Sequence, residues 1–316
     1  MTGSRRELRP NDSGMLEVGE GHSVYWETWG NDAGIPVVFV HGGPGGGCSP
    51  GHRELFDPDR YRVVFFDQRG CGRSTPSAAE PDADLSTNTT HRLIADIEAI
   101  RDLVSVERWA VFGLSWGTTL GLAYAESHTD RVSGVMLGLV GLTTRREVRW
   151  ITEGVARIFA PEWERFAGFV PDFLRELPLV EAYAKLLFDP DPDVNAAAAH
   201  EWCRWEDAHM GLAPGAGPRL HLESPHFQLE FARLVTHYWA NGAFLGDTEL
   251  IDNVHRLNGV PGVLVHGRYD VSSPIQTPWL LAKAWKTAEL VVVDDAGHGG
   301  GSLAEAFGDG LAKVTS

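Results

Sequence analysis

Short apolar runs alternate with stretches of helical spacing through the first half of the chain. Ile35-Pro36-Val37-Val38-Phe39-Val40, Tyr61-Arg62-Val63-Val64-Phe65-Phe66, Trp109-Ala110-Val111-Phe112 and the run from Val132 to Val140 read as strands. Their apolar residues are continuous rather than alternating, as expected of strands covered on both faces. Ser23 to Trp29 alternates loosely and suits an edge strand, after a start expected to be loose. Leu93, Ile97, Ile100 and Val104 recur at helical intervals within Thr89 to Val104, behind an N-cap cluster at Asn88-Thr89-Thr90. A further helix is expected to run to about Ser127. This alternation predicts an α/β fold around a mostly parallel sheet. From about Thr143 the texture changes. Strand-like runs vanish until Val260, tryptophans gather (Trp150, Trp163, Trp202, Trp205, Trp239), and Arg146 to Phe159, Asn195 to Met210 and Phe227 to Trp239 read as helices. Gly262 to His266 and Leu290 to Val293 then resume the sheet. The expected organisation is a core of residues 1–142 and 247–316 with a helical cap inserted at 143–246.

Composition changes this picture little. At 316 residues and 43% hydrophobic content the chain is an ordinary globular one. A net charge of −16 argues against nucleic acid or an anionic membrane surface as partner, because both demand a basic face. The first ten residues carry charges with no apolar stretch behind them, so no secretory signal is expected, and no apolar run is long enough to span a bilayer. Cys48, Cys71 and Cys203 are scattered and lack metal-ligand spacing, which points to a reducing compartment, the cytoplasm. No cofactor or metal is expected, and the oligomeric state stays open.

Candidate chemistry lies in the loops after the strands. Gly113-Leu114-Ser115-Trp116-Gly117 fits the G-x-S-x-G nucleophile elbow, in which a sharp strand-to-helix turn lifts a serine hydroxyl clear of the sheet. His41-Gly42-Gly43-Pro44-Gly45-Gly46-Gly47 directly follows a core strand. It lacks the Lys-Ser/Thr ending of a phosphate loop and reads as an oxyanion-hole loop. Asp270 and His298 follow late strands, completing the order Ser…Asp…His that α/β-hydrolases use. A serine hydroxyl needs a neutral imidazole to take its proton, and the imidazole needs a buried carboxylate to fix its tautomer. Asp294 and Asp295 share the His298 loop, so Asp270 is the preferred acid. Backbone N–H groups of Gly43 and Trp116 are the expected oxyanion donors. Arg69 and Arg73, in the loop Asp67-Gln68-Arg69-Gly70-Cys71-Gly72-Arg73-Ser74, are expected to be structural first.

These pieces resemble the proline iminopeptidases of the α/β-hydrolase superfamily. The likeness rests on His41-Gly42-Gly43-Pro44-Gly45, the Asp67–Ser74 loop, Asn88-Thr89-Thr90, Ser115-Trp116-Gly117, Gly297-His298 and cap segments including Trp202 to Glu206 and His237-Tyr238. It spans nearly the whole chain. The resemblance implies metal-independent removal of an N-terminal residue, often proline, from a small peptide or amide. It also implies that cap glutamates hold the substrate's free amine, one of them matched by Trp205-Glu206. In the segment resembling the other, Ala232 to Tyr238, Val235 stands in place of the carboxylate, two residues before His237. Leu114 stands where the elbow would carry another glycine. With one carboxylate fewer, amine recognition is expected to be weaker or redirected, since a buried ammonium needs negative partners. Glu230 lies off the Val235 helix face and is no obvious substitute. Glu206 could equally serve a cap salt bridge. Two alternatives follow: an amidase or esterase acting on a less basic, peptide-like molecule, or a binding protein on a hydrolase scaffold.

Overall fold

A computed structural model describes residues 9–212 and 219–316. The reading of the first residues as free of a secretory signal concerns positions that, up to residue 8, lie outside this range. Eight strands form one sheet: β1 (Asp12–Gly19), β2 (His22–Gly30), β3 (Ile35–Val40), β4 (Tyr61–Phe66), β5 (Trp109–Leu114), β6 (Val132–Gly138), β7 (Gly262–Gly267) and β8 (Ala288–Val293). Their spatial order is β1-β2-β4-β3-β5-β6-β7-β8. β1 pairs antiparallel with β2, and β2 with β4, while every other pairing is parallel. The central strands are buried along nearly their whole length, which is why their sequences carry no alternation. β1 lies where a loose start was expected. It alternates between exposed and half-buried positions at the edge, and only Leu16 and Val18 pack on the core, so its apolar signal is thin.

Helices α1 (Thr90–Leu103) and α2 (Trp116–Ser127) follow β4 and β5. The Thr89 hydroxyl caps α1 by accepting from the Arg92 N–H. Between β6 and β7 the chain is helical: α3 (Arg145–Thr152), α4 (Ala160–Phe169), α5 (Leu179–Leu187), α6 (Pro192–Met210), α7 (Pro225–Ala240) and the short α8 (Glu249–Asn253). α9 (Gln276–Ala284) and α10 (Leu303–Val314) flank the last strands. The helix expected over Arg146 to Phe159 is instead α3 and a separate 3-10 turn at Gly154–Arg157. Trp163 Nε1 donates to the Thr152 carbonyl at 2.7 Å, taking an acceptor that a continuing helix would need.

An aromatic stack joins α4, α5 and α6. The Phe166 ring lies 4.5 Å from Tyr183 and 5.0 Å from Trp205, both nearly parallel, with Trp202 edge-on to Tyr183 at 5.3 Å. This stack accounts for Trp202 and Trp205, with Trp239 edge-on to Trp202 at 5.8 Å, while Trp150 and Trp163 donate to the Val271 and Thr152 carbonyls. α8 turns back to α2, beside the sheet. Among the described residues no helix is long and apolar enough to cross a membrane.

Candidate active site

β5 delivers Ser115 into a backbone conformation of φ 55° and ψ −122°, from which α2 starts. The two glycines of the elbow are there because backbone passes through the space a side chain would need. A Cβ on Gly113 would lie 2.2 Å from the Gly117 carbonyl oxygen, and one on Gly117 would lie 2.0 Å from that of Val40. Between them Leu114 carries its side chain over Gly138, where the missing Cβ leaves room for it, so this position need not be glycine. The Ser115 N–H donates to the Gly138 carbonyl at 3.0 Å and the Thr118 hydroxyl to the Ser115 carbonyl at 2.7 Å, holding the strained turn.

Loops after β7 and β8 bring Asp270 and His298 to the same point. His298 Nε2 lies 3.0 Å from Ser115 Oγ, and His298 Nδ1 lies 2.8 Å from Asp270 Oδ2. The second Asp270 oxygen accepts the Ser273 N–H at 2.9 Å. Burial alone would push the Asp270 carboxyl up. The charge and hydrogen bond of His298, with help from His266 and the Ser273 N–H, outweigh it and hold the carboxyl below its ordinary value. For His298 burial pulls downward, and Asp270, followed by Glu206, overcomes it, leaving the imidazole above its ordinary value. Asp270 thus stays ionised and His298 Nδ1 keeps its proton, which leaves Nε2 facing the serine. Asp294 and Asp295 are engaged elsewhere: Asp294 pairs with Arg268 at 2.9 Å, and Asp295 accepts from Ser302.

The glycine-rich loop after β3 passes directly over the serine. A Cβ on Gly42 would lie 3.2 Å from the Ser115 Cβ. Gly43, at φ 116°, and Trp116 both line the cavity at the serine. Trp116 opens α2, where an N–H has no intrahelical acceptor and is free to serve a ligand. Gln68 braces this assembly. Its side chain accepts from Trp116 Nε1 at 2.9 Å and donates to the His41 carbonyl at 3.1 Å, and its N–H donates to His41 Nε2 at 3.1 Å. Arg69 and Arg73 look away from the cavity. Arg69 forks onto Asp96 at 2.6 and 2.8 Å, and Arg73 pairs with Asp67 at 2.7 Å and Glu27 at 3.1 Å.

Ser115, His298, Gly43, Trp116 and Glu206 line one cavity of about 340 Å³, walled by core loops below and by α3, α6 and α7 above. Trp205, Val235 and His237 do not line it. Trp205 is stacked inside the cap on Phe166, because it precedes Glu206 and so falls on the next face of α6. Val235 is fully buried between turns whose Phe231 and Trp239 do reach the cavity. His237 pins the cap to the α1 entrance, its Nε2 2.8 Å from the Asn88 carbonyl. Glu230 serves the loop beneath it, accepting from the Gly72 N–H at 2.9 Å and the Ser77 hydroxyl at 2.6 Å. Sequence reasoning missed Gln68, His209, Ser272 and Ser273. The serine pair so soon after Asp270 was the available signal, and His209 lies one helical turn beyond Glu206.

Comparison with known proteins agrees with this architecture. Residues 35–149 match the family model for the alpha/beta hydrolase fold. The chain is 46% identical to a probable proline iminopeptidase of Streptomyces coelicolor over 95% of its length and 93% of that protein's. It is 44% identical to the proline iminopeptidase of Neisseria gonorrhoeae, covering 92% of this chain and 91% of the other. It is likewise 44% identical to that of Arabidopsis thaliana, covering 92% of this chain and 76% of the other. Among solved structures, a proline iminopeptidase-related protein from Thermus thermophilus superposes with a TM-score of 0.57 at 22% identity, covering 97% and 99% of the two chains. A bacterial membrane phospholipase A gives 0.61 at 16% identity, covering 98% and 88%, so the likeness there is one of fold. With this identity sustained along almost the full length, the chain belongs to the proline iminopeptidase family of α/β-hydrolases.

Proposed function

We propose that this chain is a serine aminopeptidase that releases an N-terminal residue, proline or a similar one, from a peptide or amide. The observation that carries the reading is the unbroken hydrogen-bonded line Ser115–His298–Asp270 opening into a cavity that also holds the buried carboxylate of Glu206. His298 Nε2 takes the hydroxyl proton as Ser115 Oγ attacks the scissile carbonyl. Asp270 keeps the imidazole in the required tautomer and stabilises the imidazolium. The N–H groups of Gly43 and Trp116 take up the developing oxyanion, where one donor is worth about 3–4 kcal/mol. His298 then gives its proton to the leaving amine, and water repeats the sequence on the acyl-enzyme. Glu206 faces the substrate's ammonium and so admits only the chain's first residue. A cytoplasmic location belongs to the same reading, supported by three unpaired thiols.

A second reading, an amidase or esterase for a less basic substrate, is favoured by the cavity wall, where Glu147 is taken up by the Thr144 and Thr277 hydroxyls and Glu206 is the one lining carboxylate left to meet a cation among the described residues. One experiment separates the two. A prolyl arylamide and its N-acetylated form are offered to the wild-type protein and to Ser115→Ala. Cleavage of the free-amine substrate, its loss by about six orders of magnitude in kcat in the variant, and little cleavage of the acetylated form are expected. Preference for the acetylated form would overturn the aminopeptidase reading, and turnover by Ser115→Ala would overturn the acyl-enzyme.

A further inference from the structure

His52 is a polar side chain of the cavity wall that the proposed mechanism does not use. It sits in the 3-10 turn Pro50–Leu55, directly after the glycine-rich loop. The turn is held on two sides. Arg53, the next residue, forms a buried ion pair with Glu27 of β2 at 2.5 Å, and the His52 ring rests on Phe39 with centroids 4.8 Å apart.

The backbone decides where the ring carries its proton. The Ser49 N–H donates to His52 Nδ1 at 3.1 Å, and a backbone N–H can only donate. Nδ1 is therefore a lone pair, and in the neutral ring Nε2 holds the proton. Burial, with nearby His41 as a smaller cause, pulls the His52 pKa down to about 4, so the ring stays neutral wherever His298 can serve as base. With Nδ1 turned into its own loop, Nε2–H is the remaining polar group of a half-buried side chain, and no described residue accepts from it. Such a donor finds its acceptor in what enters the cavity.

The surroundings of His52 indicate which part of a substrate that is. Phe39, beneath the ring, belongs to the apolar cluster that also holds Ala296 and Leu303, on either side of His298, and Leu114 packs against that cluster. The Pro50–Leu55 turn touches α10, which opens just beyond His298. His52 thus flanks Ser115 on the sheet face of His298, the residue proposed to hand its proton to the leaving amine, whereas Glu206 faces the cavity from α6 in the roof. We propose that His52 Nε2–H donates to the first carbonyl oxygen of the leaving peptide, making His52 a specificity-determining residue that favours peptide over arylamide or alkylamide leaving groups. The proposal rests on the aminopeptidase reading above and extends it to the far side of the scissile bond. In a peptide that carbonyl follows the scissile nitrogen after a single carbon, and an arylamide offers no acceptor there.

The test uses two nearly isosteric substrates, prolyl-glycinamide, which has the carbonyl, and prolyl-isobutylamide, which lacks it. Both are offered to the full-length wild-type protein, His52→Phe and His52→Gln, and fluorophosphonate labelling of Ser115 reports on the triad of each. His52→Phe keeps a ring on Phe39. It should lower kcat/KM about tenfold for the glycinamide substrate, as the loss of one hydrogen bond allows, and less than about threefold for the isobutylamide. His52→Gln restores an N–H donor and should recover most of the difference. Labelling should match wild type throughout, since the reagent carries no leaving peptide. Wild-type protein alone gives a measurement that needs no variant to fold: KM should be about fivefold lower for the glycinamide substrate than for the isobutylamide. Equal losses on the two substrates, no loss on either, no recovery in His52→Gln, or a wild-type KM no lower for the glycinamide would overturn the role of His52 and leave the aminopeptidase standing. Wild-type protein that is labelled yet cleaves neither prolyl substrate would overturn the aminopeptidase reading, and this proposal with it.

Discussion

In the proposed mechanism the chemistry at Ser115 depends on keeping one proton in place. As the proposed base, His298 can act only while its Nε2 is unprotonated, and its pKa is the balance between burial, which lowers it, and Asp270, helped by Glu206, which outweighs burial. The net shift is upward from an ordinary value of about 6.5. Activity should therefore fall as pH drops through a midpoint above that value, because protonated His298 cannot accept the serine proton. Asp270→Asn removes the raising charge and lets the ring take the wrong tautomer. The acid limb of kcat/KM should move to lower pH while kcat drops about ten-thousandfold. A limb that stays where it was would mean that another group controls the profile. The residues surrounding the triad were legible to different degrees. Ser115, Asp270 and His298 could be singled out because each follows a strand, and the loops after parallel strands meet on one edge of the sheet, where the three side chains lie within hydrogen-bond reach. Val235 and His237 were singled out by motif position; helix phase turns His237 away from the cavity, whereas Val235 shares the face of Phe231 and Trp239 but is fully covered between them.

At the scale of elements, the elbow works because two chain segments touch through its glycines. Gly117→Ala would drive a methyl group into the Val40 carbonyl, a contact with rigid backbone rather than with a yielding side chain. A loss of about 3 kcal/mol in unfolding free energy is expected from denaturant titration, with loss of Ser115 labelling by a fluorophosphonate. Unchanged stability would show that β3 and α2 can separate at no cost. The loop after β7 is the other element on which the site turns. Within three residues, Val271 accepts from Trp150 of α3, Ser272 holds His209 of α6, and Ser273 holds Asp270. Core acid and cap are thereby fixed by one short stretch. None of this could be read from the sequence, since a serine after a strand looks the same whichever partner it finds.

The whole molecule is a catalytic sheet edge roofed by helices whose own core is aromatic. Trp205 is central to that core, fully buried and stacked on Phe166. Trp205→Ala should cost about 3–5 kcal/mol of stability and disturb the roof more than the floor. The expected result is a lower denaturation midpoint and reduced arylamide turnover, with fluorophosphonate labelling of Ser115 retained. Loss of labelling in a folded variant would show that the cap also holds the triad in place. The sequence by itself determined the strands from β2 onward, their ends, the elbow turn and the order in which Ser115, Asp270 and His298 follow their strands. These depend on short-range periodicity and on turns that only certain residues can make. Tertiary structure alone decided that β1 joins the sheet, that Trp205, Val235 and His237 lie off the cavity, and that Glu206 shares it with His209. Those outcomes depend on how the helices pack across the sheet edge, where contacts between residues far apart in sequence fix the rotation of each helix.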